Sequence, residues 1–208
     1  MEDSDKKVLF IAAAAVGVLL YRTIAHAATQ LFALFQFISP ASVSDIAAQL
    51  PAGEDEFIIA AWEQVGNDIT YDGYASEITI LDHTIECARC LLATEVLKVG
   101  RANCVGKAIL LTSLLRNRLP ADRVYMAIGQ LSMDGVGGHA WVEVQRAGSW
   151  YLLESTRAPN GWQLVASRPE YILEALLNDQ DVICTSSSLC LSVKKASCDC
   201  MLQRAYGY

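Results

Sequence analysis

Beginning at Asn103, the residues Cys104, Ala108, Leu111 and Leu115 recur at i, i+4, i+7 and i+11, the spacing of one face of an α-helix. No other feature restricts the fold as much. An apolar helical face has to be buried against another element, and the chain beyond this helix supplies the partner. Pro120 forces the helix to stop. Three runs of strand character then succeed one another: Arg123–Gln130 (RVYMAIGQ), His139–Gln145 (HAWVEVQ) and Trp150–Glu154 (WYLLE). A loop with Gly135, Gly137 and Gly138 separates the first two runs and Ala147-Gly148 the last two, connections short enough for antiparallel neighbours. The implied class is α+β, a helix packed on an antiparallel sheet.

Upstream, Ser42–Leu50 reads as a short helix stopped by Pro51-Ala52-Gly53, and Glu54–Val65 as a helix with acidic residues in its first turn, where the helix dipole favours them. Thr84–Val99 reads as a further helix, with Gly100 as its C-cap, and Pro169–Leu177 as a short one. Beyond Asp181 the chain turns rich in Ser and Cys and shows no period. With 208 residues, 53% of them hydrophobic, there is material for one well-filled domain plus extensions. The expected division is an apolar N-terminal segment at 1–41, a core at 42–180 and a tail at 181–208.

The N-terminal segment is unusual. Val8–Leu20 is wholly apolar, comes after Lys6 and Lys7, and leads to a second apolar patch at Leu31–Ile38. The first run falls short of the ~20 residues that a membrane span wants. Three readings stay open: a membrane anchor, an apolar helix buried against partner subunits, or a signal cleaved near Ala25-His26-Ala27. The acidic start (Glu2, Asp3, Asp5) and Arg22 weigh against the last. Residues 8–38 are thus the expected contact with a membrane or with partner subunits. The chain is expected to be membrane-associated or part of a large assembly, and secreted or periplasmic if the segment is a signal. A net charge of -7 without any Lys/Arg cluster leaves nucleic-acid binding without electrostatic support.

The chemistry centres on Cys104. A nucleophilic cysteine attacks as the thiolate, which a helix N-terminus and a proton-accepting histidine both favour. Cys104 comes directly after Asn103, a good N-cap residue, and the N–H groups of that first turn suit an oxyanion. His139 opens a strand and is the candidate base. If the next turn holds two residues, Arg146 faces Ser149 and Trp141 faces Glu154, so His139 and Glu154 are diagonal neighbours on one sheet face. A four-residue turn keeps this parity and a three-residue turn reverses it. A carboxylate there orients the imidazole and supports its charged form.

These residues resemble the transglutaminase-like superfamily, which includes transglutaminases and bacterial transglutaminase-like cysteine peptidases. The resemblance spans roughly Trp62 to Trp162. It rests on Asp68-Ile69-Thr70-Tyr71, Gly100–Cys104, the helix AILLTSLLR (Ala108–Arg116) with Arg123-Val124, and Trp150–Thr156 (WYLLEST). His139–Val144 (HAWVEV) is its most specific part. Two positions depart from the family pattern: Glu154 stands where an aspartate is usual, and Ala102 where a glycine is common. The resemblance implies a papain-like core with Cys104, His139 and Glu154 as catalytic residues, and the apolar N-terminal segment is expected to precede that core as a helix. It implies acyl transfer from an amide of a protein or peptide through a Cys104 thioester, to water or to an amine, with no cofactor. The rival is a non-catalytic structural subunit of a membrane or macromolecular assembly, such as a virion, that keeps the fold and lodges by its apolar segment.

The remaining cysteines raise a metal question. The seven cysteines are an odd number, so they cannot form a closed disulfide framework. His83, Cys87 and Cys90 share one face of the expected Thr84–Val99 helix, with Cys198 and Cys200 as possible further thiolates. An ordinary buried stripe explains the same spacing, and no metal is expected.

Overall fold

The computed structural model describes residues 36–72, 77–80, 83–86, 92–132 and 136–184. Most of the apolar N-terminal segment and nearly all of the Ser/Cys-rich tail therefore lie outside the described residues, as do the anchor, partner-helix and signal readings of that segment. Among the described residues no helix is long and apolar enough to cross a membrane.

A single 3₁₀ turn at Pro40–Val43, with proline in its first turn, leads into α1 (Ser44–Gln49). Helix α2 (Glu54–Asp68) comes next and keeps the acidic first turn. Two of those acids are paired with arginines from the second half of the chain: Arg123 grips Glu54 at 2.6 Å, and Arg146 pairs with Asp55. Strand β1 (Thr70–Tyr71) ends this half of the chain.

Beyond it lie β2 (Glu77–Ile80) and β3 (His83–Glu86), paired antiparallel with Thr79 opposite Thr84. Helix α3 (Ala93–Val99) closes on Gly100, whose φ of 68° is the left-handed C-cap expected of it. The expected Thr84–Val99 helix is thus corrected. Its first part is a strand, because the alternating β-branched residues of Ile78–Ile80 and Thr84-Ile85 favour a ladder over a helix. Strand β4 (Arg101–Ala102) lies parallel to β1 and delivers the chain to helix α4.

Helix α4 (Cys104–Leu115) is the axis of the molecule. All 12 of its residues are buried, so the single apolar stripe read from the sequence understates it. A helix covered on every side is a core helix. The sheet covers one side, and α1, α2, α3 and the Pro40–Val43 turn cover the others.

Among the described residues the sheet has six strands: β5 (Val124–Ser132), β6 (Val136–Arg146), β7 (Ser149–Leu153), β8 (Gln163–Leu164), β9 (Tyr171–Leu177) and β10 (Val182–Cys184). They lie in the order β10-β9-β5-β6-β7-β8, all neighbours antiparallel. Strand β9 corrects the expected Pro169–Leu177 helix. Its Leu, Glu and Ala would suit a helix, but pairing with β5 on one side and β10 on the other overrides that propensity. The sheet also takes in Val182–Cys184, which the sequence reading assigns to the tail.

Both faces of the sheet are buried near its centre. Val124, Met126, Ile128, Ala140, Val142, Val144 and Leu153 share the main core with α4. Ala127, Trp141, Leu152 and Tyr171 form a smaller cluster of their own. Where β5 meets β9 the register shifts between Ile128 and Gly129. A Cβ on Gly129 would stand 2.0 Å from the Ile172 carbonyl oxygen, so only glycine allows this bulge. Gly129 is also the residue directly opposite His139.

Phe37 and Ile38, which the sequence reading places ahead of the core boundary, are buried in the main core. The Ser39 N–H also donates to Ser113 Oγ of α4 at 3.0 Å. A chain beginning at Ser42 should accordingly be less stable than one beginning at Gln36. The expected difference is about 3 kcal/mol or more, the usual cost of emptying a site that held large apolar side chains. Urea denaturation of the two chains, monitored by tryptophan fluorescence, measures it.

Candidate active site

The first participant is fixed by a cap. Asn103 sits in extended backbone, and its side-chain oxygen accepts the Gly106 N–H at 3.1 Å, starting α4 at Cys104. Cys104 is 5% exposed, at the helix end whose first N–H groups lack acceptors within the helix.

The second and third participants come from one hairpin. Arg146 pairs with Ser149, so the turn holds two residues, Ala147 and Gly148. Both have positive φ, 48° and 79°, as a tight hairpin turn matching the twist of its strands requires. The register continues to Val142 opposite Leu153, which sets Glu154 opposite Trp141 and diagonal to His139, the parity expected from the sequence. The side chains meet: His139 Nε2 lies 2.8 Å from Glu154 Oε2. The Cys104 side chain also acts on this ring and favours its protonated form. An ionised carboxylate only accepts, so Nε2 carries a proton and Nδ1 is the nitrogen left for Cys104. Of the three residues singled out from the sequence, His139 and Glu154 are hydrogen-bonded, and Cys104 acts on the same His139 ring.

The charges are set by these contacts. Burial by itself would push the His139 pKa down, but the hydrogen bonds to Cys104 and Glu154 and the carboxylate's charge outweigh it and raise it well above the usual histidine value. Burial would likewise push Glu154 up. The hydrogen bond from His139, the imidazolium charge and the Thr156 donors override it, so the carboxyl is held well below its ordinary value. Both shifts favour the pair as imidazolium and carboxylate.

Four residues complete the site that the sequence reading gave no role. Thr156 donates twice to Glu154 Oε1, from its backbone N–H at 3.0 Å and its hydroxyl at 2.7 Å. It lies within the WYLLEST stretch, so its position was visible although its task was not. Tyr171 donates its hydroxyl to Glu154 Oε2 at 2.8 Å and was hidden by the helical reading of its segment. Trp62, in α2, donates its indole N–H to the Glu154 backbone oxygen at 2.8 Å. Lys107, one turn along α4 from Cys104, is 1% exposed and donates to the Ile69 and Gly66 carbonyl oxygens at 2.6 and 3.3 Å. A lone charge inside the apolar run CVGKAILL was the available signal for it.

Around these groups the rings are ordered. Trp141 stacks against His139 with centroids 6.1 Å apart and meets Tyr171 edge-on at 5.1 Å. The Trp141 indole N–H donates to Glu143 at 3.0 Å, and burial raises the pKa of that carboxyl. No cluster of His, Cys, Asp or Glu suited to a metal occurs among the described residues. His83 stands on a strand, so the helical spacing that joined it to Cys87 and Cys90 does not hold. Cys87, Cys90, Cys198 and Cys200 lie outside the described residues.

No protein-family model matches the chain, and no curated protein matches it. Among solved structures it is similar to LapG of Legionella pneumophila, at 15% identity and a TM-score of 0.49 over 80% of this chain and 97% of that one. The calcium-bound form of LapG gives 16% and 0.48 over 81% and 99%. A candidate cysteine protease from Cytophaga hutchinsonii gives 14% and 0.42 over 72% of this chain and 50% of that one.

Lys107 gives a test of the site's electrostatics. Burial pushes its pKa down to about 8, with the Glu154 charge opposing the shift. Between that value and the ordinary 10.5 the unfolded chain binds a proton there that the folded chain does not, so this group makes stability rise with pH across that window. The difference in unfolding free energy, wild type minus Lys107→Met, should climb from about pH 8 upward and level off near 10.5. Urea titrations of both proteins at stepped pH measure it.

Proposed function

We propose that this chain is a cysteine hydrolase or acyltransferase acting on amide bonds of proteins or peptides, with Cys104 as nucleophile, His139 as acid and base, and Glu154 as the carboxylate that orients His139. The observation that carries this reading is the 2.8 Å contact of His139 Nε2 with the buried Glu154 carboxylate, with Cys104 acting on the same ring from the N-terminus of α4. A cysteine at a helix N-terminus beside an imidazolium is the arrangement that activates sulfur for attack.

Each step uses what one of these groups can do. Cys104 Sγ attacks the amide carbonyl carbon, and the carbonyl electrons move onto oxygen. The Cys104 and Val105 N–H groups, ahead of the Gly106 N–H that Asn103 caps, are the ones placed to stabilise that oxyanion. His139 then gives its Nδ1 proton to the amide nitrogen, the carbon–nitrogen bond breaks, and the amine leaves a thioester on Cys104. Water or an amine, deprotonated by the now neutral His139, attacks the thioester and frees the thiolate. Water as acceptor completes hydrolysis and an amine completes cross-linking. Glu154 stays ionised throughout and supports the imidazolium each time it forms.

The test is incubation with a peptide library, with and without a primary alkylamine, and mass-spectrometric reading of cleaved and amine-linked products. Products should form with the wild type and be absent with Cys104→Ala. Wild-type turnover no higher than that of Cys104→Ala would overturn the reading. Iodoacetamide should also modify Cys104 faster than the other six thiols.

Glu154→Gln should lower turnover by about 10²-fold or more, as removal of the charge behind a catalytic histidine does elsewhere. It should also cost about 1–3 kcal/mol of stability. An amide has a single acceptor oxygen, so its NH₂ faces either the Thr156 donors or the Tyr171 and His139 donors. Turnover measured beside thermal melting separates the two losses.

A further inference from the structure

A glutamate reaches further than an aspartate and has one more side-chain torsion to fix. Holding the tip of Glu154 in place therefore takes more contacts than the usual aspartate would need. Thr156 holds Oε1 with two donors, but a carboxylate held at one oxygen can still swing the other. Oε2, the oxygen that meets His139, is where the swing would matter, and it is the oxygen to which Tyr171 also donates.

We propose that Tyr171 is a positioning residue of this site, its hydroxyl fixing Glu154 in the orientation in which Oε2 meets His139 Nε2. The proposal rests on the hydrolase reading above. Tyr171 is well placed to set a direction, because its own ring is held on several sides. Trp141 meets it edge-on, with centroids 5.1 Å apart and an interplanar angle of 75°. The Arg168 guanidinium lies 5.1 Å from its centroid on the ring face. Its backbone is paired with Leu131 of β5, and its N–H donates to the Arg168 carbonyl oxygen at 3.1 Å. The His139 ring lies 6.0 Å away, tilted by 50°, so no other side chain need intervene between hydroxyl and imidazole at the shared oxygen.

A buried tyrosine needs an acceptor for its hydroxyl in any fold, so a packing role alone predicts the same contact. The two roles differ in what they do to His139. If Tyr171 positions Glu154, removing the hydroxyl lets Oε2 drift from Nε2, and His139 loses its proton at lower pH. If the hydroxyl only competes for Oε2, removing it strengthens the His139–Glu154 pair and moves the titration up. If it only packs, nothing moves. The other charges acting on the cluster, Lys107 on Glu154 and Arg157 and Arg168 on Tyr171, stay the same in every case, as does Glu143 behind Trp141.

The experiment is an NMR titration of the His139 imidazole in the full chain, wild type against Tyr171→Phe, with the rate of Cys104 alkylation by iodoacetamide recorded in parallel. In Tyr171→Phe the His139 titration should move down by about half a unit or more, and alkylation should slow by about threefold, the factor that half a unit represents. In a Glu154→Gln background, Tyr171→Phe should move neither quantity, because it acts through the carboxylate. An unmoved or upward-moved His139 overturns the proposal. If Tyr171→Phe does not fold, wild type labelled with ¹³C at tyrosine Cζ decides instead. The Tyr171 signal should shift in step with His139 deprotonation, and a signal indifferent to that event overturns the proposal. A wild-type Cys104 no more reactive than the other thiols sinks the hydrolase reading and this proposal with it. A reactive Cys104 beside an unmoved His139 sinks this proposal alone.

Discussion

The structure depends on keeping one carboxylate ionised inside the protein. Glu154 is 4% exposed, and an unpaired charge at that depth would cost several kcal/mol. Its donors come from widely separated parts of the chain: His139 of β6, Tyr171 of β9 and Thr156 just beyond β7 at the carboxylate, and Trp62 of α2 at its backbone carbonyl. Each donor fixes where its element can lie. The antiparallel order β9-β5-β6-β7 leaves one strand, β5, between Tyr171 and the hairpin that holds His139 and leads to Glu154. Helix α2 is drawn down by its indole on one side of α4, and Lys107 of α4 ties the end of the same helix through the Gly66 and Ile69 carbonyls. Helix, sheet and bracing helix therefore meet at the proposed site through hydrogen bonds that none of them can make alone.

Legibility in the sequence divides by range. The cap at Asn103, the C-cap at Gly100 and the Ala147-Gly148 turn depend on residues a few positions apart, and their residue types carry the conformation with them. The hairpin parity that joins His139 to Glu154 comes from one turn length and the two-residue period of a strand. Tyr171–Leu177 shows the opposite case. Its composition suits a helix, and only pairing with β5, some forty residues earlier, makes it a strand. Composition assigns Phe37 and Ile38 to the apolar segment, yet their partners are in the main core. Lys107 and Trp62 are equally opaque, because a buried ammonium and an indole N–H gain meaning only when the carbonyls they reach are known.

Stability alone does not account for so much buried polarity. An ion pair taken out of water recovers its desolvation cost only with good geometry and full hydrogen bonding, and well-packed apolar residues often do as well or better. Here the geometry is good, yet the ion pair opens no route to extra stability that Leu or Phe would lack. Glu143 adds to the cost: it is a second buried carboxyl on the same strand as His139, its pKa raised by burial, and it accepts the Trp141 indole N–H. What the polar groups supply and apolar ones cannot is direction. Trp141 is turned by Glu143 and stacks on His139, while His139 is aimed by Glu154, and Glu154 by Thr156 and Tyr171. A set of side chains that each orient the next, ending at a cysteine on a helix N-terminus, is what a reaction needing a fixed line of attack requires. That is why the expense of the network supports the catalytic reading more strongly than the resemblance of any one motif.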